Sequence, residues 1–169
     1  MDASSIAMQF TEWGNEIILS LGYLGIFIVS FVGSASIILP IPAFFIIPLA
    51  VGLGLNPWIV GVLAGIGSAF GEATGYALGK GGGKVIEMKY KKHVEKYSKW
   101  FEGKKAFFAV LFFAATPLPD DILGIVCGIF RYDFKKFMLA SIIGKVLLNT
   151  FIALGFFYGI EFVSEFMGW

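Results

Sequence analysis

Charge is what this chain most conspicuously does without. No Asp, Glu, Lys or Arg occurs from Ile17 to Gly71, a run of 55 residues. At about 1.5 Å per helical residue, that is far more than one crossing of a core about 30 Å thick. Cys127 is the single cysteine, which excludes a disulfide framework, a CxxC redox pair and a thiolate metal site. His93 is the single histidine and lies in a basic segment, so neither a nucleophile–base pair nor a histidine metal cluster can be assembled. The net charge of +1 suggests no nucleic-acid partner. A basic region ahead of an apolar core is missing from the start, as is a small-residue cleavage site, so the start is not read as a signal peptide. No cofactor is expected and no enzyme activity.

What the chain has is apolar side chain, at 57% hydrophobic against 15% charged, with 22 Gly and 19 Phe. Both percentages lie on the membrane side of averages for soluble domains. Residues 3–13, ASSIAMQFTEW, place Ile6, Phe10 and Trp13 at helical spacing, as in a short amphipathic helix at the interface. Pro40, Pro42, Pro48 and the GLGLNP turn at 52–57 break the long uncharged run. A second apolar run, 58–78, is interrupted only by Glu72. The segment 80–105 reads as a Gly-started basic loop containing an amphipathic helix. The stretch 106–130 is apolar apart from Asp120 and Asp121, and the final run 137–160 contains Lys145 and Asn149.

Nine of the thirteen Lys and Arg fall between Lys80 and Lys105, while Asp2, Glu12, Glu16, Glu161 and Glu165 mark the two ends. The positive-inside rule therefore puts 80–105 and Arg131, Lys135 and Lys136 in the cytoplasm, and both ends outside. The segment between these landmarks must enter and leave on one side. Its first arm, 106–116, reaches about 16 Å as helix, roughly half the core. Such a segment is a re-entrant hairpin with TPLPDD at its tip.

The hairpin has a counterpart. Pro40 and Pro42 match Pro117 and Pro119 at an offset of 77, which also carries Gly67 onto Gly144 and Glu72 onto Asn149. Each half reads as a Pro-x-Pro hairpin followed by one full helix. The charge bias runs 58–79 inward and 137–160 outward, the inverted-repeat plan of secondary transporters.

The polar residues of the apolar segments converge on one layer. Counted from the basic clusters, Glu72 lies about 12 Å deep, Lys145 about 13 Å and the two aspartates about 16 Å. Asn149 is one turn beyond Lys145 on the same side. A charge in hydrocarbon costs at least about 2.5–3.5 kcal/mol, so these groups should face each other or a wet cavity. Lys145 is the natural partner of Asp120 or Asp121. The competing reading is an architectural ion pair that fixes the hairpin to the last helix. Gly67, Gly71 and Gly75 form a packing stripe. Tyr76, one turn beyond Glu72, either hydrogen-bonds it or packs.

These residues resemble a known family. FVGSASIILPIPAFFIIPLAVGLGLNPW, GSAFGEATGYALG, the TPLPDD hairpin and the last helix are similar to the DedA, or VTT (SNARE-associated Golgi-like), membrane proteins over about residues 20–160. Glu72 falls at the acidic position of the family's G-x-x-x-G-[DE]-x-x-x-Y-x-x-G segment. The resemblance implies paired re-entrant hairpins and lipid handling: polyprenyl-phosphate recycling or phospholipid scrambling, with proton coupling proposed for some members. Two departures stand out. Ala43 and Phe44 replace the acid that often follows the first Pro-x-Pro, and the arginines bracketing the second proline fall on Ala114 and Asp120. Lys145 is then the one deep base, so the implied substrate is a lipid phosphate held by Lys145 and backbone amides, or a cation held by the aspartates.

The expected protein is thus an all-α integral membrane protein of one domain, 1–169. It is an inverted repeat of Pro-broken re-entrant hairpin plus transmembrane helix (17–79 and 106–160), with an N-terminal interfacial helix and a basic cytoplasmic loop at 80–105. Its function is that of a transporter or scramblase-like protein moving a polyprenyl phosphate or phospholipid, with protons or cations as coupling ions. Asp120, Asp121, Lys145, Glu72 and Asn149 form the site, and Pro40, Pro42, Pro117 and Pro119 the hairpin tips. A small-ion transporter and a non-transporting structural protein are the alternatives. Membrane lipids are the expected partners, a homodimer suits so small a unit, and the plasma membrane of a prokaryote is the expected location.

Overall fold

The computed structural model describes the backbone of residues 3–35, 46–101, 104–117 and 121–167. Every regular element among them is a helix: α1 (Ala3–Leu21), α2 (Tyr23–Ala35), α3 (Ile46–Gly52), α4 (Pro57–Phe101), α5 (Lys104–Ala114), α6 (Asp121–Ile129) and α7 (Phe134–Met167). Pro40, Pro42, Pro119 and Asp120 lie outside the described residues, whereas Pro117 is exposed in the turn that follows α5.

Two expected boundaries move. The interfacial helix runs beyond residue 13 to Leu21, because Ile17 and Ile18 extend its apolar face onto the core. The basic segment is helical through Phe101 and continuous with α4, rather than a loop opened by glycine. Each helical Gly costs about 1 kcal/mol relative to Ala, which Gly81–Gly83 do not accumulate into a break.

Two short helices followed by a long one form a pattern that occurs twice, as α2–α4 and as α5–α7. Both α3 and α6 end in the same turn. The N–H groups of Leu53, Gly54 and Leu55 donate to the carbonyls of Leu49, Val51 and Ala50. Those of Phe130, Arg131 and Tyr132 donate to Val126, Gly128 and Cys127, each partner 77 residues further on. The 6→1 and 5→2 bonds define a Schellman motif, whose left-handed position is taken by Gly54 (φ 83°) and by Arg131 (φ 52°). A side-chain cap then opens each long helix. Asn56 Oδ1 accepts from Trp58 N–H at 3.0 Å, and Asp133 Oδ1 from Lys136 N–H at 2.9 Å. Tyr23 Oη also accepts the Asn56 N–H, at 3.0 Å, tying the first turn to α2.

The long helices α4 and α7 form the spine, with α2 and α6 packed on α4 and α5 and α3 packed on α7. Each short helix α3 and α6 thus lies against a long helix of the other half. Two hydrophobic clusters lie along the spine, one on either side of Glu72 on α4. One joins Ile18, Ile26, Val29, Ile46, Ile47, Val60, Ala64 and Ala153, and the other Tyr76, Val110, Cys127, Tyr132, Phe137 and Ala140.

Outside, the polarity of a soluble protein is inverted. Leu139, Ile143, Leu147 and Phe151 form an exposed stripe along α7, with Phe151 77% exposed, while Phe108 and Phe112 line α5. Glu72, Lys145, Asn149, Ser30, Ser68 and Ser141 are buried. Large apolar side chains turned outward, around a core that keeps a buried layer of polar and charged groups, suit a lipid solvent rather than water. Phe134–Gly159 of α7 is by itself long and apolar enough to cross a membrane.

Candidate functional site

The site begins at the crossing of α4 and α7. A Cβ built on Gly61 would lie 2.3 Å from Thr150 Cα, and one on Gly65 would lie 2.5 Å from Val146 Cα. As numbers rise by four on α4 they fall by four on α7, so the two helices are antiparallel. Only glycine permits backbones this close.

Glu72 lies two turns beyond Gly65 on α4, and Lys145, whose backbone is part of the Gly65 contact, reaches it: Lys145 Nζ lies 3.0 Å from Glu72 Oε1, with side-chain exposures of 11% and 4%. Lys145 therefore meets Glu72 of α4. Its expected partner Asp120 lies outside the described residues. Asp121 opens α6, but its carboxylate is likewise outside what the structure describes. Asn149, one turn further along α7, is buried and donates from Nδ2 to the Lys145 carbonyl at 2.7 Å. Ser68 and Ser141 complete the layer, one turn from Glu72 and from Lys145 respectively, and both are buried. The pair sits between the two hydrophobic clusters, since Val60 and Ala64 precede Glu72 on α4 and Tyr76 follows it.

The described ends of α2, α5 and α6 approach this layer. Ala35, the last residue of α2, lies beside Gly71 and close to Thr74, whose Oγ1 is 3.5 Å from the Ala35 carbonyl. Ala114, the last residue of α5, abuts Gly144, where an added Cβ would come within 2.6 Å of the Ala114 Cβ. Gly124, in the first turn of α6, lies against the Glu72 carbonyl, with 3.0 Å left for a Cβ. Helix ends from both halves thus lie near a buried base and a buried acid.

Tyr76 does not turn back to Glu72. Its hydroxyl donates to the Tyr132 carbonyl, and its ring stacks on Phe137 with centroids 5.2 Å apart. It is an anchor between α4 and the α6–α7 turn. Cys127 of α6 is buried in the same cluster. Among the described residues, no three His, Cys, Asp or Glu side chains gather as a metal site would require.

Sequence reasoning missed Ser141 and Ser68. The available signal was the spacing Ser141, Lys145, Asn149 at i, i+4 and i+8 on an otherwise apolar helix, matched by Ser68 and Glu72 on its partner. Ser141 Oγ, like Ser30 Oγ and Thr150 Oγ1, is buried without a hydrogen-bond partner among the described residues.

Comparison with known proteins adds an independent finding. The family model for the VTT domain matches residues 39–159, which include α3 to α6 and most of α7. An uncharacterized protein of Methanocaldococcus jannaschii is 29% identical over 149 residues, covering 87% of this chain and 91% of the relative. The vacuole membrane protein KMS2 of Arabidopsis thaliana is 32% identical over 111 residues, covering 56% of this chain and 27% of that protein. The chain thus spans about a quarter of the length of this plant relative. A vacuole membrane protein 1 homolog of Dictyostelium discoideum is 43% identical over 51 residues, covering 30% of this chain and 13% of its own. No solved structure matches the chain.

Proposed function

Because this chain belongs to the VTT-domain (DedA) family of membrane proteins, we propose that it translocates a lipid phosphate, a polyprenyl phosphate or a phospholipid, through the layer around Glu72 and Lys145. The observation that carries the reading is the buried ion pair at the α4–α7 crossing, met by the ends of α2, α5 and α6. A base held inside an apolar body and approached by helix breaks can offer charge and free backbone groups to an anionic headgroup.

The lengths support paired re-entrant hairpins. α2 with α3 and α5 with α6 contribute 13, 7, 11 and 9 residues. None of the four exceeds about 20 Å, against a core of about 30 Å. The recurrent turn at Gly54 and Arg131, followed by antiparallel α4 and α7, supports an inverted repeat. The basic extension of α4 is then cytoplasmic, in the plasma membrane of a prokaryote. The plant relatives bear the name of a vacuole membrane instead, which fits an internal membrane when the host is a eukaryote.

Reconstitution tests this reading. Purified protein in liposomes should move a labelled polyprenyl phosphate or phospholipid between leaflets, and faster across a pH gradient if a proton is coupled. A folded Lys145→Met variant should lose that movement. Wild type that moves neither lipid, or a folded Lys145→Met that moves them undiminished, would sink the proposal.

A further inference from the structure

Glu72 already lies against Lys145 inside the protein, at 3.0 Å, and a headgroup that needs Lys145 must deal with that acid. A second anion beside Glu72 would put two negative charges on one ammonium in a medium of low dielectric, where repulsion is strongest. Ser141 marks what the present arrangement leaves unused. Its hydroxyl is fully buried, lies one turn from Lys145 on the same face of α7, and has no hydrogen-bond partner among the described residues. At about 5–6 Å between Cβ atoms, neighbours at i and i+4 can serve one multi-oxygen anion. A buried donor without an acceptor carries a standing cost that such an anion relieves.

We infer that Glu72 is a built-in surrogate for the substrate anion: it holds the headgroup's place on Lys145 and is displaced when the headgroup binds to Lys145 and Ser141. The inference rests on the lipid-phosphate reading above and adds the competitor and the second donor. It also gives substrate a mechanical effect. Glu72 belongs to α4 and Lys145 to α7, so a headgroup that takes Lys145 removes the ion pair tying the spine together near the hairpin ends.

The test is equilibrium binding of dodecyl phosphate to the purified full-length protein in neutral detergent, with inorganic phosphate alongside to separate a lipid headgroup from a free ion. Removing the competitor should tighten binding, so Glu72→Gln should bind dodecyl phosphate roughly tenfold tighter than wild type or better. Glu72→Asp retains the charge that balances Lys145 but shortens the reach, so it should give a several-fold gain and keeps the test open where Gln does not fold. Lys145→Met should abolish binding. Ser141→Ala placed on Glu72→Gln should give back several-fold of the gain.

The inference is overturned if folded Glu72→Gln or Glu72→Asp binds no tighter than wild type while Lys145→Met abolishes binding, because Glu72 is then a co-ligand or a strut. The lipid-phosphate reading falls, and the inference with it, if neither wild type nor any folded variant binds dodecyl phosphate. Inorganic phosphate binding as tightly as dodecyl phosphate overturns the lipid headgroup as the occupant.

Discussion

Glu72 and Lys145 meet at 3.0 Å across the antiparallel crossing of α4 and α7, between the two hydrophobic clusters. Removing one member takes a close counter-charge from the other in a buried site, at a cost of up to about 3–5 kcal/mol. Glu72→Gln and Lys145→Met should each lower the unfolding free energy in detergent by that order. The double variant should recover most of the loss, since a neutral pair needs no counter-charge. A double variant as unstable as the sum of the singles would show that the two side chains do not act on each other.

The crossing itself depends on the absence of two side chains. With 2.3–2.5 Å available at Gly61 and Gly65, a Cβ can enter only by driving the helices apart. Gly65→Val should destabilise by about 1–3 kcal/mol or more. Gly82→Val has nothing within 4 Å and should change stability by less than about 1 kcal/mol. Thermal melts of the two variants give the comparison, and equal melts would contradict the close approach.

The paired turns make opposite predictions for equivalent positions. Gly54 occupies the left-handed region with open space around it, so Gly54→Ala should cost about 1–2 kcal/mol through backbone strain alone. Arg131 bears the same strain with a full side chain. Arg131→Gly should therefore not destabilise by that route and should gain up to about 1 kcal/mol, less the entropy of a more flexible unfolded chain. Equilibrium unfolding of both variants measures the difference.

Much of this was legible in sequence for a physical reason. Apolar runs, prolines and a lopsided distribution of lysine specify helices and breaks locally, and the Pro-x-Pro offset of 77 reappears in the hydrogen bonds of the Gly54 and Arg131 turns. The burial of Glu72, Lys145 and Asn149 was legible because each interrupts an apolar run. Which acid meets Lys145 was not legible, because it depends on how α4 and α7 are rotated and slid against each other. Gly61 and Gly65 set that relation, and their role appears only once Thr150 and Val146 are opposite them. The continuation of α4 through Gly81–Gly83 was likewise hidden, since glycine in a sequence reads as a break whether or not neighbours sustain the helix.

Tyr76 holds the turn between α6 and α7 to α4 through its hydroxyl on the Tyr132 carbonyl. Tyr76→Phe keeps the stacking on Phe137 and deletes that donor, leaving a buried carbonyl one partner short. The expected loss is about 1 kcal/mol, read from the unfolding midpoint. No change would mean the ring packing alone fixes the turn.

The sharpest check on the architecture uses the two equivalent turns as markers of sidedness. Leu53 and Gly82 are exposed, and Arg131 lies in the turn equivalent to that of Gly54. α4 runs from Pro57 past Lys80, about 35 Å of helix against a core of about 30 Å, so Leu53 and Gly82 should lie on opposite faces. Two hairpins of opposite orientation also require equivalent turns to face opposite ways. In a Cys127→Ala background, a membrane-impermeant thiol reagent should therefore reach Gly82→Cys and Arg131→Cys from the cytoplasmic side only, and Leu53→Cys from the other side only. Labelling of Leu53→Cys and Arg131→Cys from one and the same side would make the halves parallel. It would also contradict the inverted repeat proposed for the two halves.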